Sequence, residues 1–112
     1  MLLNSSKNTV IAKQVKIAST FSQKLRGLMF YKELPPDNCL VIKNCNSIHT
    51  CFMRFPLDII FINKENAVVH LLHGIKPFRC SPVVKEACTV VEIVSGQIIR
   101  SHTEVGDTLS FL

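Results

Sequence analysis

The sequence contains no tryptophan and only one tyrosine, which weighs against an aromatic surface for stacking nucleic-acid bases. Its seven phenylalanines would have to supply such a surface. Thirteen basic residues against eight acidic ones give a net charge of +5, a balance that can attract nucleic acid, acidic membrane or an anionic ligand. The basic residues are spread along the chain without forming a run. We therefore expect a solvated basic surface rather than a nucleic-acid interface.

The chain also lacks a long apolar stretch. None approaches the ~20 consecutive apolar residues that a helix needs to cross a bilayer. Polar residues 4–7 follow the first three residues at once, so no signal peptide is predicted. The five cysteines are an odd number and cannot all pair within one chain. These absences predict a cytoplasmic protein with reduced thiols and no membrane association.

The length and the hydrophobic content of the chain are sufficient for one folded domain. A chain of 112 residues suits a single domain, predicted over residues 1–112, and 47% hydrophobic residues argue against disorder. A domain of this size buries roughly two thirds of the surface that its unfolded chain exposes, which is enough for a core without metal or disulfide links. We expect a monomer or weak dimer that carries no cofactor.

Short apolar segments separated by turn residues predict about seven β-strands. The clearest is Leu57–Ile62, which is apolar on both faces apart from Asp58 and is typical of a central strand. Residues 63–66 form a polar turn of hairpin length before a partner strand over 67–72. The same pattern predicts strands at 9–17, 39–42, 89–94 and 108–112, an extended segment at 47–53, a loop at 74–82, and a tight turn at 95–96 that leads into 97–99.

One short helix is predicted near the N-terminus. Thr20 and Gln23 fit a capping box, and Phe21 and Leu25 share one helical face. Gly27 is placed to end the helix with a positive φ. The sequence therefore predicts a mainly β protein, α+β at the margin, that forms a small closed or strongly curved β-barrel with one short N-terminal helix.

Several longer motifs occur in a fixed order along the chain. They read Arg-Gly-Leu-Met-Phe at 26–30, Ser-Ile-His-Thr-Cys-Phe-Met-Arg-Phe-Pro-Leu-Asp at 47–58, Val-Glu at 91–92 with Ser-Gly at 95–96, and Val-Gly-Asp at 105–107. In these motifs the chain resembles the domain of unknown function 192 family, from about residue 10 to residue 112. The resemblance implies a compact, mainly β, barrel-like fold with a short N-terminal helix, and it implies no established reaction. Cys51 stands where family members often carry an aromatic residue.

Asp58 is the acidic residue that most clearly requires polar partners in the fold. A carboxylate inside an apolar strand is costly unless it is paired, hydrogen-bonded or protonated. It could orient a ligand or transfer a proton, but we favour a structural role, in which it accepts backbone N–H bonds or pairs with Arg26 or Arg54. Glu92 is either an outward-facing charge or a second acid near Asp58, a pair that would permit acid–base chemistry.

Cys45, His49 and Cys51 are candidate metal ligands. They offer three soft or borderline donors within seven positions, with Cys39 as a fourth, and zinc accepts such a set. The sequence lacks the Cys-x2-Cys pair that is usual in structural zinc sites. Free cysteines also serve often as small buried hydrophobic residues, which we favour here.

The same segment offers an enzymatic alternative and a binding alternative. A hydrolase could use Cys51 as a nucleophile with His49 and Asp58, although no oxyanion motif accompanies them. The preferred prediction is a groove that binds a small ligand or peptide without recognisable catalytic chemistry, because the segment mixes apolar, aromatic and ionisable residues. The predicted groove residues are Arg26, His49, Thr50, Phe52, Met53 and Asp58.

Overall fold

The computed structural model describes residues 1–19, 34–50 and 54–112, and this part of the chain is mainly β. It contains eight strands and one short helix. In chain order these are β1 (Leu2–Asn4), β2 (Thr9–Ala12), β3 (Gln14–Ala18), β4 (Asn38–Lys43), β5 (Leu57–Ile62), β6 (Val68–Ile75), β7 (Thr89–Val94), α1 (Gln97–Arg100) and β8 (Leu109–Phe111).

The strands form two sheets. The larger has the order β3-β4-β7-β5-β6, in which β3 and β4 are parallel and the other pairs are antiparallel. The smaller sheet, β2-β1-β8, is antiparallel throughout. Lys13 alone separates β2 from β3, and an isolated bridge joins Ala67 to Thr108, so the two sheets are linked at two places. The pairing among the described strands gives two sheets, and closure into a single barrel stays a prediction.

Apolar side chains cover both faces of the larger sheet. One face shares a cluster with the smaller sheet, in which Val41, Ile60 and Val91 meet Leu2 and Leu109. The opposite face carries a second cluster around Leu40, Ile59 and Val90, covered by Ile48 and Val84. All six residues of β5 are buried, which confirms the prediction of a strand with two buried faces.

Several predicted boundaries were wrong. The strand expected over 9–17 divides at Lys13 into two strands of different sheets, and β1 was not predicted at all. The tight turn predicted at 95–96 is present, and residues 97–99, to which the sequence assigned no element, lie in α1 after Gly96, whose φ is 94°. β6 continues through Ile75, so the loop begins at residue 76. The predicted helix around Thr20 lies outside the described residues.

None of the helical residues in the described ranges forms a segment long and apolar enough to cross a membrane.

Candidate functional site

Asp58 is buried and fully engaged with the backbone. Its Oδ1 accepts the N–H of Gly74 at 2.7 Å, and its Oδ2 accepts the N–H groups of Gly96 at 2.9 Å and Ile98 at 3.0 Å. These bonds join the end of β6 to the start of α1 across β5. Hydrogen bonds to a charged acceptor are stronger than neutral ones, so Asp58 stabilises this junction. It is a positioning residue, as the structural interpretation predicted.

Glu92 lies on the opposite face of the sheet from Asp58. In the strand register Glu92 stands beside Leu40 and Ile59, whereas Asp58 stands beside Ile93. Glu92 is therefore not a second acid next to Asp58. It is also not an outward-facing charge, because only 4% of its surface is exposed.

The Glu92 carboxyl group is embedded in the apolar cluster of that face. Within the described part of the chain, its Oε2 has no hydrogen-bond partner. Burial raises the pKa of Glu92 to about 8, because an apolar surrounding disfavours the charged form. At neutral pH the group is therefore mostly protonated, and it can donate one hydrogen bond.

Thr50 organises the segment that follows β6, which we call the 76–80 loop. The Thr50 hydroxyl donates to the Lys76 carbonyl at 2.6 Å and accepts the Arg79 N–H at 2.8 Å. The backbone of Thr50 adds two bonds, from its N–H to the Arg79 carbonyl at 2.8 Å and from the Phe78 N–H to its carbonyl at 3.0 Å. Thr50 is buried, so water does not compete for these bonds.

The 76–80 loop presents an aromatic and cationic surface. Phe78 has a φ of 62°, and 65% of its surface is exposed. Lys76, Arg79 and His49 are exposed as well. The backbone of His49 forms an isolated antiparallel β-bridge with Cys80 in the same loop. We call the surface formed by His49, Lys76, Phe78 and Arg79 the His49 surface.

The structure describes two of the three predicted metal ligands, Cys45 and His49. Cys45 Sγ donates to the Ser47 carbonyl at 2.9 Å, and His49 lies on the exposed surface just described. Across residues 1–19, 34–50 and 54–112, no three His, Cys, Asp or Glu side chains form a group that could hold a metal ion. Cys51 lies outside those ranges, so the set of three stays a prediction.

The cysteines that the structure describes carry free thiols. Burial raises the pKa of Cys39 to about 11, because the thiolate would be desolvated. Cys39 is therefore a small buried side chain, in agreement with the favoured prediction, and not a reactive thiolate.

The predicted groove is placed in part. His49 is exposed, Thr50 holds the 76–80 loop and Asp58 holds the β6–α1 junction, while Arg26, Phe52 and Met53 lie outside the described residues. Sequence reasoning missed Phe78 and Arg79. The available signal was a large aromatic residue directly after Pro77 in a predicted loop, where such a side chain has little to bury it.

Comparison with known proteins agrees with the fold and gives no activity. The chain is 34% identical to a UPF0127 protein of Pyrococcus furiosus, covering 98% of this chain and 97% of that protein. A UPF0127 protein of Thermococcus sibiricus is 30% identical, covering 99% of this chain and 74% of that one.

A crystal structure of a protein of unknown function from Novosphingobium aromaticivorans has a similar fold. Its TM-score is 0.79 with 23% identity, over 87% of this chain and 74% of that chain. The model of domain of unknown function 192 (DUF192), described as an uncharacterized ACR, matches residues 2–111. With nearly all its residues matched, the chain belongs to the DUF192 family.

Proposed function

We propose that this protein is a cytoplasmic binding domain, with a barrel-like scaffold, that recognises an anionic group on a small molecule or an acidic peptide. The site is the His49 surface together with the predicted groove residues Arg26, Phe52 and Met53. The single observation that carries the proposal is the way Thr50 holds Phe78 in an exposed and strained position.

The conformation of Phe78 is costly for the fold. A bulky residue at positive φ costs on the order of 1–3 kcal/mol and persists only when its surroundings enforce it. The hydrogen bonds between Thr50 and the 76–80 loop enforce it here. An exposed phenylalanine gains little from burial in return. Strained and exposed residues of this kind concentrate at ligand sites, which supports a binding role for the 76–80 loop.

The charge of the His49 surface favours an anion. Lys76 and Arg79 are exposed cations beside Phe78, and the only salt bridges among the described residues involve Lys7, elsewhere in the fold. An arginine fork binds a carboxylate or phosphate through two hydrogen bonds. An aromatic face next to it adds apolar contact with the body of the ligand.

The engagement of Asp58 argues against the hydrolase alternative. Both of its oxygens accept backbone N–H groups, so a proton-transfer role would require breaking bonds that hold β6 and α1. We assign Asp58 a positioning role and propose no catalytic step.

Binding can be tested by NMR titration of the isotope-labelled protein with citrate, inorganic phosphate and a short peptide rich in aspartate. We expect saturable shifts of the His49, Phe78 and Arg79 amides with at least one probe. Arg79→Ala should weaken that binding about ten-fold, since a hydrogen bond to a charged group contributes about 1.5–3 kcal/mol.

Lys64→Ala is the matched control, because Lys64 is an exposed cation in the turn between β5 and β6. It should bind as the unaltered protein does. Citrate or phosphate binding without peptide binding identifies a small-molecule site, and the reverse identifies a peptide site. If no probe moves these amides, or if Arg79→Ala and Lys64→Ala behave alike, the proposal is wrong.

A further inference from the structure

A second candidate site lies at the gap where the two sheets diverge, remote in sequence from the His49 surface. It is an open cavity of about 450 Å³, which we call the mouth cavity. Its lining consists of Lys13, Gln14, Val15, Ile17, Lys43 and Phe111, together with the two chain ends.

The strand register explains why this gap exists. The pairing of β1 with β2 ends where Leu2 stands opposite Ala12, the last residue of β2. After Ala12 the chain continues through Lys13 into β3. β3 pairs with β4 on one side and is the edge strand of the larger sheet on the other. The smaller sheet therefore leaves part of β3 uncovered, and half of the Ile17 surface is exposed there.

The floor of the mouth cavity is apolar and continuous with the core. Val15 and Phe111 both pack against the cluster between the two sheets. Ile17 lies two residues after Val15 on the same strand, so both side chains point to the same face. An apolar ligand entering here would extend the contacts of the existing core instead of covering an isolated surface patch.

Two cations stand at the rim of the mouth cavity. Lys13 is exposed, and Lys43 Nζ lies 5.3 Å from the centre of the Phe111 ring. Neither lysine forms a salt bridge among the described residues, and no aspartate or glutamate belongs to the lining. Beside the two lysines, the Met1 ammonium donates to a Leu112 oxygen at 2.8 Å.

We propose that the mouth cavity binds an amphipathic anion, a small molecule with an apolar body and a carboxylate or sulfate head. The body contacts Val15, Ile17 and the Phe111 ring. The head lies between Lys13 and Lys43, where two positive charges attract it. Cavities of this volume at the open ends of β-structures are typical sites for small molecules.

Three probes separate the contributions of head and body. Decanoate carries both, decanol carries the body alone and butyrate carries the head with a short body. Followed by NMR, decanoate should shift the amides of Val15, Ile17 and Phe111 with one-to-one saturation. Decanol and butyrate should each bind at least about ten-fold more weakly, because each lacks one of the two attractions.

Variants of the rim and floor locate the site. Lys13→Gln and Lys43→Gln should each weaken decanoate binding about two- to five-fold, the range expected for an exposed ion pair. They should leave decanol unchanged. Ile17→Ser should weaken decanoate and decanol equally, and its half-exposed position means that the fold tolerates the change. Lys85→Gln, an exposed lysine on a distant loop, is the control and should bind as the unaltered protein does.

Three results would overturn the proposal. The first is the absence of saturable decanoate binding at the mouth cavity. The second is equal binding of decanoate and decanol together with insensitivity to both lysine variants. The third is a concentration-dependent dimer, detected by sedimentation, that decanoate dissociates and Ile17→Ser abolishes, since a second copy would then be the natural occupant.

Discussion

Glu92 is held inside an apolar cluster where its neutral form is favoured. Since the pKa of Glu92 is raised to about 8 by burial, the folded protein keeps a proton that the unfolded chain releases near pH 4.5. Between these two values, a rise in pH favours the unfolded state. The contribution of Glu92 to stability is thus fully present below about pH 4.5 and is lost by about pH 8.

We predict that the free energy of unfolding falls by about 1 kcal/mol per pH unit between pH 5 and pH 8. Glu92→Gln should flatten this dependence and should be more stable than the unaltered protein at pH 8, because glutamine stays neutral. Urea denaturation at several pH values measures both effects. Glu65→Gln, at an exposed glutamate in the β5–β6 turn, should keep the original slope. A slope that survives Glu92→Gln would contradict the assignment.

Asp58 differs from Glu92, because its carboxylate accepts hydrogen bonds from three backbone N–H groups. Asp58→Asn turns one acceptor oxygen into a donor that faces other donors. We predict a loss of about 2–4 kcal/mol of unfolding free energy, from weakened bonds and an unsatisfied buried N–H. Faster hydrogen exchange at Gly74, Gly96 and Ile98 should accompany it. Unchanged exchange at these three amides would show that the carboxylate does not hold the junction.

The sequence predicts that Asp58 needs partners but cannot identify them. A carboxylate inside the apolar strand Leu57–Ile62 must be satisfied, and this requirement follows from local chemistry alone. Its actual partners, Gly74, Gly96 and Ile98, are 16, 38 and 40 residues away, and only the pairing of strands brings them close. For the same reason, the alternation of side chains along β7 assigns Glu92 to one face of the strand but does not reveal which residues cover that face.

At the scale of elements, the 76–80 loop depends on one buried hydroxyl. Thr50→Val keeps the shape of the side chain and removes its bonds to Lys76 and Arg79. We predict a loss of about 1–3 kcal/mol of unfolding free energy, because the Arg79 N–H loses its Thr50 Oγ1 acceptor. Trypsin should then cut after Arg79 faster than in the unaltered protein.

Thr108→Val is the control for this experiment, because Thr108 is an exposed threonine in another part of the fold. It should leave both the stability and the rate of cleavage after Arg79 unchanged. Equal cleavage of all three proteins would mean that the Thr50 hydroxyl does not limit opening of the loop.

The elements that sequence predicts well are those with a strong local pattern. β4, β5 and β7 are rich in β-branched and aliphatic residues and are bounded by turn residues, and each appears within one residue of its predicted bounds. β1 has three residues, of which Asn4 is a buried polar residue, so no alternation marks it. The division at Lys13 carries no glycine or proline, and it follows from β2 and β3 pairing with different neighbours.

At the scale of the molecule, a polar cluster joins the beginning of the described chain to its end. Asp107 accepts hydrogen bonds from Asn4 Nδ2 at 2.9 Å and from Lys7 Nζ at 2.8 and 2.9 Å. Desolvation acts to raise the pKa of Asp107, but the bonds from Asn4, Lys7 and the Glu104 N–H together outweigh it and lower the pKa. Stability from Asp107 is therefore present above its ordinary value of 3.8 and is lost as the pH falls below it.

Asp107→Asn should lower the free energy of unfolding at pH 7 by about 1–3 kcal/mol, because Lys7 and Asn4 lose a charged acceptor. The difference between the two proteins should shrink as the pH approaches 3. Glu104→Gln is the control, since the Glu104 side chain is 73% exposed and its bond to Lys7 is worth little. Equal effects of both changes at pH 7 would contradict a specific role for Asp107.

The position of β1 between β2 and β8 has a consequence for synthesis on the ribosome. β1 emerges before the other described strands, and its second neighbour emerges after all of them. At about 5–20 residues per second, the interval is on the order of ten seconds. Throughout that time one edge of β1 is open to any extended segment, including a β8 segment from a neighbouring nascent chain. Closely spaced ribosomes on one message would therefore promote exchange of β8 between copies.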